Sequence, residues 1–149
     1  MSRRLLHPTD FSKASNVAFA KSLGEARETH AELVLVHVLA AVIPVAGAGE
    51  AYITPAMYEQ MSKSARAWAQ KQMDRLLARA KAARVRARGS LLEGVTHEQI
   101  LRAARRLRAD VIIMGTHGRT GVARFFLGSV AARVSAMATC PVLTVRGRR

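Results

Sequence analysis

The 149-residue chain has one cysteine, Cys140, which excludes an intrachain disulfide. With Thr139 and Pro141 beside it, Cys140 reads as an inert thiol in a turn, not a redox motif. Long apolar runs are also missing, since none approaches the roughly 18 residues needed to cross a bilayer. The opening MSRRLLHPTDFS meets Pro8 and Asp10 before a signal-peptide core could form. A cytoplasmic protein with no membrane partner is the expectation. Five histidines (His7, His30, His37, His97 and His117) are scattered, with no HExxH or CxxC spacing, so no metal site is expected. Neither the GxSxG elbow of hydrolases nor the dinucleotide GxGxxG pattern occurs. The Walker A pattern fails as well: Leu127-Gly128-Ser129 has no lysine, and Gly118-Arg119-Thr120 lacks the earlier glycine.

Acidic residues are scarce. Lys+Arg 24 against Asp+Glu 10 gives a net charge of +14, which brings nucleic acid or an acidic partner into consideration. The cations are dispersed along helical patterns, as at Arg66, Lys71, Arg75 and Arg79 and again at Arg102, Arg105 and Arg106, with a short tail from Arg146 to Arg149. One Trp, two Tyr and four Phe are all the aromatics, and none alternates with arginine as a base-stacking platform would require. A solvated basic face is the plainer reading, and a charge-driven nucleic-acid or acidic-partner binder is its alternative.

What is present is a core and a rhythm. Half of the residues are hydrophobic, enough for one domain spanning 1–149. Five short apolar runs alternate with helical patterns: about Arg3 to His7, Leu33 to Leu39, Val85 to Leu91, Val111 to Met114, and Val142 to Val145. Such alternation predicts an α/β fold, a parallel sheet covered by helices. Ser12 is placed to cap a first helix with Ala14, Val17 and Ala18 on one side. A long middle helix aligns Met61, Ala65, Trp68, Leu76, Ala80 and Ala83 near one stripe, predicted to be core. Thr96 and Gln99 form a capping-box pattern ahead of Ile100, Ala104 and Leu107. A last helix from about Ser129 carries Val130, Val134 and Met137. Between the second strand and the long helix, AAVIPVAGAGEAYITP reads as a connection that is either a lid or plain variable surface.

One stretch stands apart: MGTHGRTGVARFFLGS, Met114 to Ser129. Gly115 follows a buried strand directly, and Gly128-Ser129 opens the next helix, the edge of an open parallel sheet where ligands sit. Glycines let backbone N–H groups approach an anion, and a helix start adds free donors and a positive dipole end. Spacing alone leaves two readings open, a phosphate loop or a connection whose glycines serve turns and whose Ser129 is a helix cap.

The pattern Gly115-x-x-Gly118, nine residues, then Gly128-Ser129 resembles the ATP-binding signature of the universal stress protein family. LLHPTDFS, AELVLVHV, ADVIIMGTHGR and CPVLTVR resemble that family's first, second, fourth and fifth strands in order. The resemblance implies a five-stranded parallel sheet of order 3-2-1-4-5 sandwiched by helices, the Rossmann-like adenine nucleotide alpha hydrolase-like fold. It also implies an adenine-nucleotide site for ATP, ADP or AMP, with Mg²⁺ an allowed companion. Asp10 would contact the adenosine end, and the backbone of Val38 would meet adenine. Gly115, Gly118, Gly128, Ser129 and the N–H of Val130 would hold the phosphates, supplemented by the charge of Arg119, with Pro8, Thr9 and Met114 also part of the nucleotide site. His7 stands where many relatives carry an aliphatic residue. No residue is an evident general base, so the expectation stops at slow ATP turnover at most, with action through nucleotide-dependent association. Dimers of the family join through the last strand, here Val142 to Val145.

Overall fold

The computed structural model describes residues 3–40, 53–117 and 127–147. The elements run β1 (Arg4–Pro8), α1 (Lys13–Glu28), β2 (Glu32–Leu39), α2 (Pro55–Ala82), β3 (Ala87–Glu93), α3 (Thr96–Leu107), β4 (Val111–Gly115), α4 (Ser129–Met137) and β5 (Val142–Val145). All the strand pairs are parallel, in the order β3-β2-β1-β4-β5. β1 is the centre, with Leu5 opposite both Leu33 and Val111.

Both faces of the sheet are covered, and alternate side chains of each strand divide between them. Leu5, Leu33, Leu35 and Ile113 pack with Phe19 and Ala26 of α1 and Met73, Leu76 and Ala80 of α2. Leu6, Val34, Val36, Ile112 and Met114 pack with Ile100 and Ala104 of α3 and Ala131 and Val134 of α4. Hence the strands read as continuous apolar runs, and the sheet's ends are left for polar work.

Helix α1 starts at Ser12, whose hydroxyl accepts the Ser15 N–H at 3.1 Å, as the sequence indicates. Its buried face is Ser15, Ala18, Phe19, Ser22 and Ala26, turned from the expected Ala14, Val17 and Ala18 so that Ala18 alone is shared. The long-helix stripe needs a larger correction. Met61 and Trp68 are 49% and 43% exposed, and Ala65 is exposed as well, while Ala69, Met73, Leu76 and Ala80 make the core contact. The reason is length: 28 residues extend about 42 Å, well past the roughly 26 Å of the eight-residue β2. The first half of α2 therefore overhangs the sheet.

Three smaller differences follow from local geometry. Val95 is the N-cap of α3 and no side chain caps it, so Thr96 is the first helical residue and the capping box does not form. Met137 is 54% exposed at the end of α4, where the nine-residue helix has run out of sheet. β3 occupies Ala87–Glu93, two residues beyond the expected span, because Val85 closes the end of α2 through its N–H to the Ala80 carbonyl. Most of the lid-or-surface segment lies outside the described residues. Its end is a helix start: Thr54 accepts the Met57 N–H at 3.2 Å ahead of Pro55.

His7 is fully buried on the central strand. Its Nδ1 donates to the Ile113 carbonyl at 2.8 Å, the only role open to it beside a carbonyl oxygen, while Nε2 is buried with no hydrogen-bond partner among the described residues. Loss of water lowers its pKa from 6.5 to about 4, against the opposing pull of the Ile113 bond and of Asp10. Between those two values the unfolded chain binds a proton that the folded chain refuses. Stability contributed by neutral His7 is complete above pH 6.5 and declines as the pH falls through about 4, by about 3 kcal/mol in all. We expect urea midpoints to fall from pH 7 to pH 4 much more steeply for the parent than for His7→Leu. Parallel profiles for the two proteins would contradict the assignment.

Candidate functional site

A cavity of about 310 Å³ opens at the C-terminal edge of the sheet, between the ends of β1, β2 and β4. Its position follows from the topology: the chain leaves β1 for β2 on one side, while β4 lies on the other, and the two departures open a crevice. The wall is apolar, made by Pro8, Val36, Val38, Ile100 and Met114. Polar groups gather at two ends of it.

At one end, the turn after β1 is held rigidly. The Thr9 N–H donates to the Val36 carbonyl at 2.8 Å, and His37 Nδ1 donates to the Thr9 carbonyl at 2.8 Å. Thr9 Oγ1 accepts both the Phe11 N–H at 3.0 Å and the Ser15 hydroxyl at 2.8 Å. Phe11 accordingly takes a left-handed φ of 62°, where it stacks on His37 at 4.6 Å between ring centroids and meets Trp68 edge-on at 5.5 Å. These ties fix Asp10. Its Oδ1 accepts the Ser12 N–H at 3.0 Å, so the carboxylate is anchored at the cavity rim near the start of α1.

At the other end stands the start of α4. Gly128 is its N-cap and brings no side chain to cap it. The Gly128 N–H is taken by the Thr116 carbonyl at 2.7 Å, and the first helical bond runs from the Ala132 N–H to the Gly128 carbonyl at 2.8 Å. The N–H groups of Ser129, Val130 and Ala131 are thus without an intrahelical acceptor, and all three residues line the cavity. Ser129 is the first helical residue and not the cap. Gly128 has φ −57° and ψ 153°, open to any residue, so the reason for glycine there is the missing side chain. At Gly115 a Cβ would lie 3.4 Å from the Ala14 backbone and from the His117 carbonyl, so glycine lets β4 end against the start of α1.

Of the residues expected at a site, Pro8, Thr9, Asp10, Val38, Met114, Gly115, Gly128, Ser129 and Val130 all line this one cavity. Gly118 and Arg119 lie outside the described residues. Sequence reading missed Thr96 and Ile100, which reach the cavity from α3, and also Val36, His37 and Thr116. Thr96 had a signal, its position at a helix start, but was read as a cap; Thr116 sits inside the glycine stretch itself. Burial raises the pKa of Cys140, which keeps its thiol protonated and agrees with an inert role. Among the described residues no group of three or more His, Cys, Asp and Glu could hold a metal ion, and no helix is long and apolar enough to cross a membrane.

The fold and cavity define a doubly wound α/β protein with an uncapped helix start at its switch point. Comparison with known proteins takes this further, and the chain belongs to the universal stress protein family, whose model matches residues 1–146. Universal stress protein MJ0531 of Methanocaldococcus jannaschii is 34% identical over 146 residues, covering 97% of this chain and 82% of that protein. The solved structure of protein MJ0577 superposes with a TM-score of 0.85 at 24% identity, over 100% of this chain and 99% of that one. At 18–19% identity, likenesses that bear on the fold, other solved universal stress proteins hold adenine nucleotides. One is in complex with cAMP (TM-score 0.69, 99% and 98% covered), one from Arabidopsis thaliana has AMP bound (0.69, 98% and 92%), and one from Archaeoglobus fulgidus is in complex with dAMP (0.64, 97% and 97%).

Proposed function

We propose that this chain binds an adenine nucleotide (ATP, ADP or AMP) in the cavity and works as a cytoplasmic stress-response regulator through nucleotide-dependent association. The observation that carries the reading is the start of α4, where Ser129, Val130 and Ala131 line the cavity at the positive end of a helix dipole and no side chain among the described residues caps their N–H groups. The apolar wall of Pro8, Val36, Val38, Ile100 and Met114 suits a base, and the backbone at Val38 supplies its polar contacts. Asp10 takes the ribose hydroxyls: its charge suits O–H donors and repels phosphate, which orients the ligand end to end. Gly118 and Arg119 would complete the phosphate end. Mg²⁺ would arrive on the phosphates. Relatives solved with cAMP, AMP and dAMP support the choice of adenine. Among the described residues no side chain stands out as a base for water, and the reading extends to slow ATP turnover at most.

Calorimetric titration with ATP and with adenosine tests the two ends separately. Gly128→Val keeps an allowed backbone but puts a branched side chain at the phosphate end, so ATP affinity should fall about tenfold or more while adenosine binding holds. Asp10→Ala should weaken both ligands alike, by about 1–3 kcal/mol for a charged hydrogen bond. A well-folded Gly128→Val protein that binds ATP as the parent does would defeat the reading.

Association would run through β5. It is an edge strand of four residues behind Pro141, with Leu143 40% exposed, and its outer backbone groups can pair with a second copy. Sedimentation at micromolar concentration should show a homodimer, and a 16.2 kDa monomer alone would reject it.

A further inference from the structure

The opposite end of the sheet has a feature the nucleotide cavity does not use. Helices α1, α2 and α3 all finish there, and each closes in the same way. The N–H groups of Ala31, Val85 and Ala109 reach back to the carbonyls of Ala26, Ala80 and Ala104 at 3.0, 2.9 and 2.9 Å. In each closure the residue just before the donor takes a left-handed backbone: His30 at φ 53°, Arg84 at 58° and Arg108 at 50°. Glycine is the residue of least strain at that position, yet this chain places a histidine and two arginines there, all exposed.

Basic side chains near a helix C-terminus favour its dipole, but that need is already met inside the helices by Arg27 in α1, Arg79 and Lys81 in α2, and Arg105 and Arg106 in α3. The additional cations are therefore in excess of what the helix ends require. Nor are they neutralised. Most carboxylates of this end are engaged: Glu25 with Arg3 and Lys21, Glu32 with Arg4 and Arg88, and Asp110 with the Arg4 backbone N–H, which leaves Glu28, exposed at the end of α1, as one negative charge against these cations. Among the described residues no ion pair reaches Arg27, Lys81, Arg84 or Arg108. Arg27 and Arg84 both line an open groove of about 720 Å³ at the ends of α1 and α2, together with Ala26, His30, Ala31 and Ala82. Arg108 carries the charge to the other face of the sheet, beside the Leu107 carbonyl that accepts from Arg4 at 2.9 Å.

We infer that this end of the molecule is a second binding surface, which takes the phosphate backbone of a nucleic-acid duplex without reading its sequence. Unneutralised cations on both faces of the sheet match phosphates repeated along a rigid backbone. Of ring side chains the groove has His30 alone, with no Phe, Tyr or Trp, so contact runs through phosphates and not through a platform of stacked bases, which favours a duplex over a single strand. The surface is separate from the nucleotide cavity, so the inference stands whether or not that cavity takes ATP.

Fluorescence anisotropy with a short labelled random-sequence DNA duplex, from about 50 to 200 mM salt, provides the test. With Arg27, Lys81, Arg84 and Arg108 each neutralising one phosphate, log K should fall against log salt with a slope of about −3.6. The double variant Arg84→Gly, Arg108→Gly should lose about tenfold or more in affinity and flatten the slope by about 2, while its melting temperature holds or rises because glycine relieves both left-handed positions. Arg27→Gln with Lys81→Gln should show a comparable loss. Binding equal to the parent in both double variants would overturn the inference, as would a lower melting temperature of the glycine pair with unchanged binding. Competition by ATP as strong as by duplex, or preference for polyglutamate or anionic vesicles over duplex, would overturn it as well.

Discussion

The pairing of β1 with β2 on one side and β4 on the other is the constraint on which the rest depends. A central strand covered on both faces must be apolar along its length, and Leu5, Leu6, His7 and Pro8 are all buried. Chemistry is then confined to the two ends of the sheet. At the C-terminal end, the chain diverges from β1 and β4 and leaves a crevice. The Thr9 bonds to β2 and to Ser15 hold one lip of it, and the uncapped start of α4 forms the other.

The same topology sorts the charge. Every helix runs back against the strands, so helix N-termini collect at the cavity and C-termini at the far end. The cavity end offers unpaired N–H donors with one anchored carboxylate, Asp10. The far end gathers arginines beyond the basic residues already in the last turns of α1, α2 and α3. Among the described residues the positive potential at the start of α4 comes from backbone, while Arg27, Lys81, Arg84 and Arg108 lie at the other end of the sheet.

Much of this was legible in the sequence, for reasons that can be named. Strands buried on both faces are continuous apolar runs, and four of the five were placed within a residue or so by that signal. β3 was the loosest, because its half-buried ARGSLLE mixes charge and glycine. Strand order came from a family resemblance and not from periodicity. The stripe on α2 misled because periodicity reports which residues align, not how far the sheet extends beneath them; Met61 and Trp68 align with the core and overhang it. Nine of the eleven expected site residues meet in one cavity, while Thr96 and Ile100 were missed because α3 enters the site through tertiary packing and carries no motif of its own. At position 128 the φ of −57° is open to any residue, so the part of the glycine reading that bears there is the missing Cβ beside the backbone N–H groups.

The central claim is that the start of α4 receives a phosphate. Amide ¹H–¹⁵N spectra of the labelled protein titrated with AMP and, separately, with adenosine address it directly. The amides of Ser129, Val130 and Ala131 should shift strongly with AMP and little with adenosine, while Val36 and Val38 respond to both. If AMP moves Val36 and Val38 but leaves Ser129, Val130 and Ala131 where adenosine leaves them, the phosphate lies elsewhere and the account is wrong.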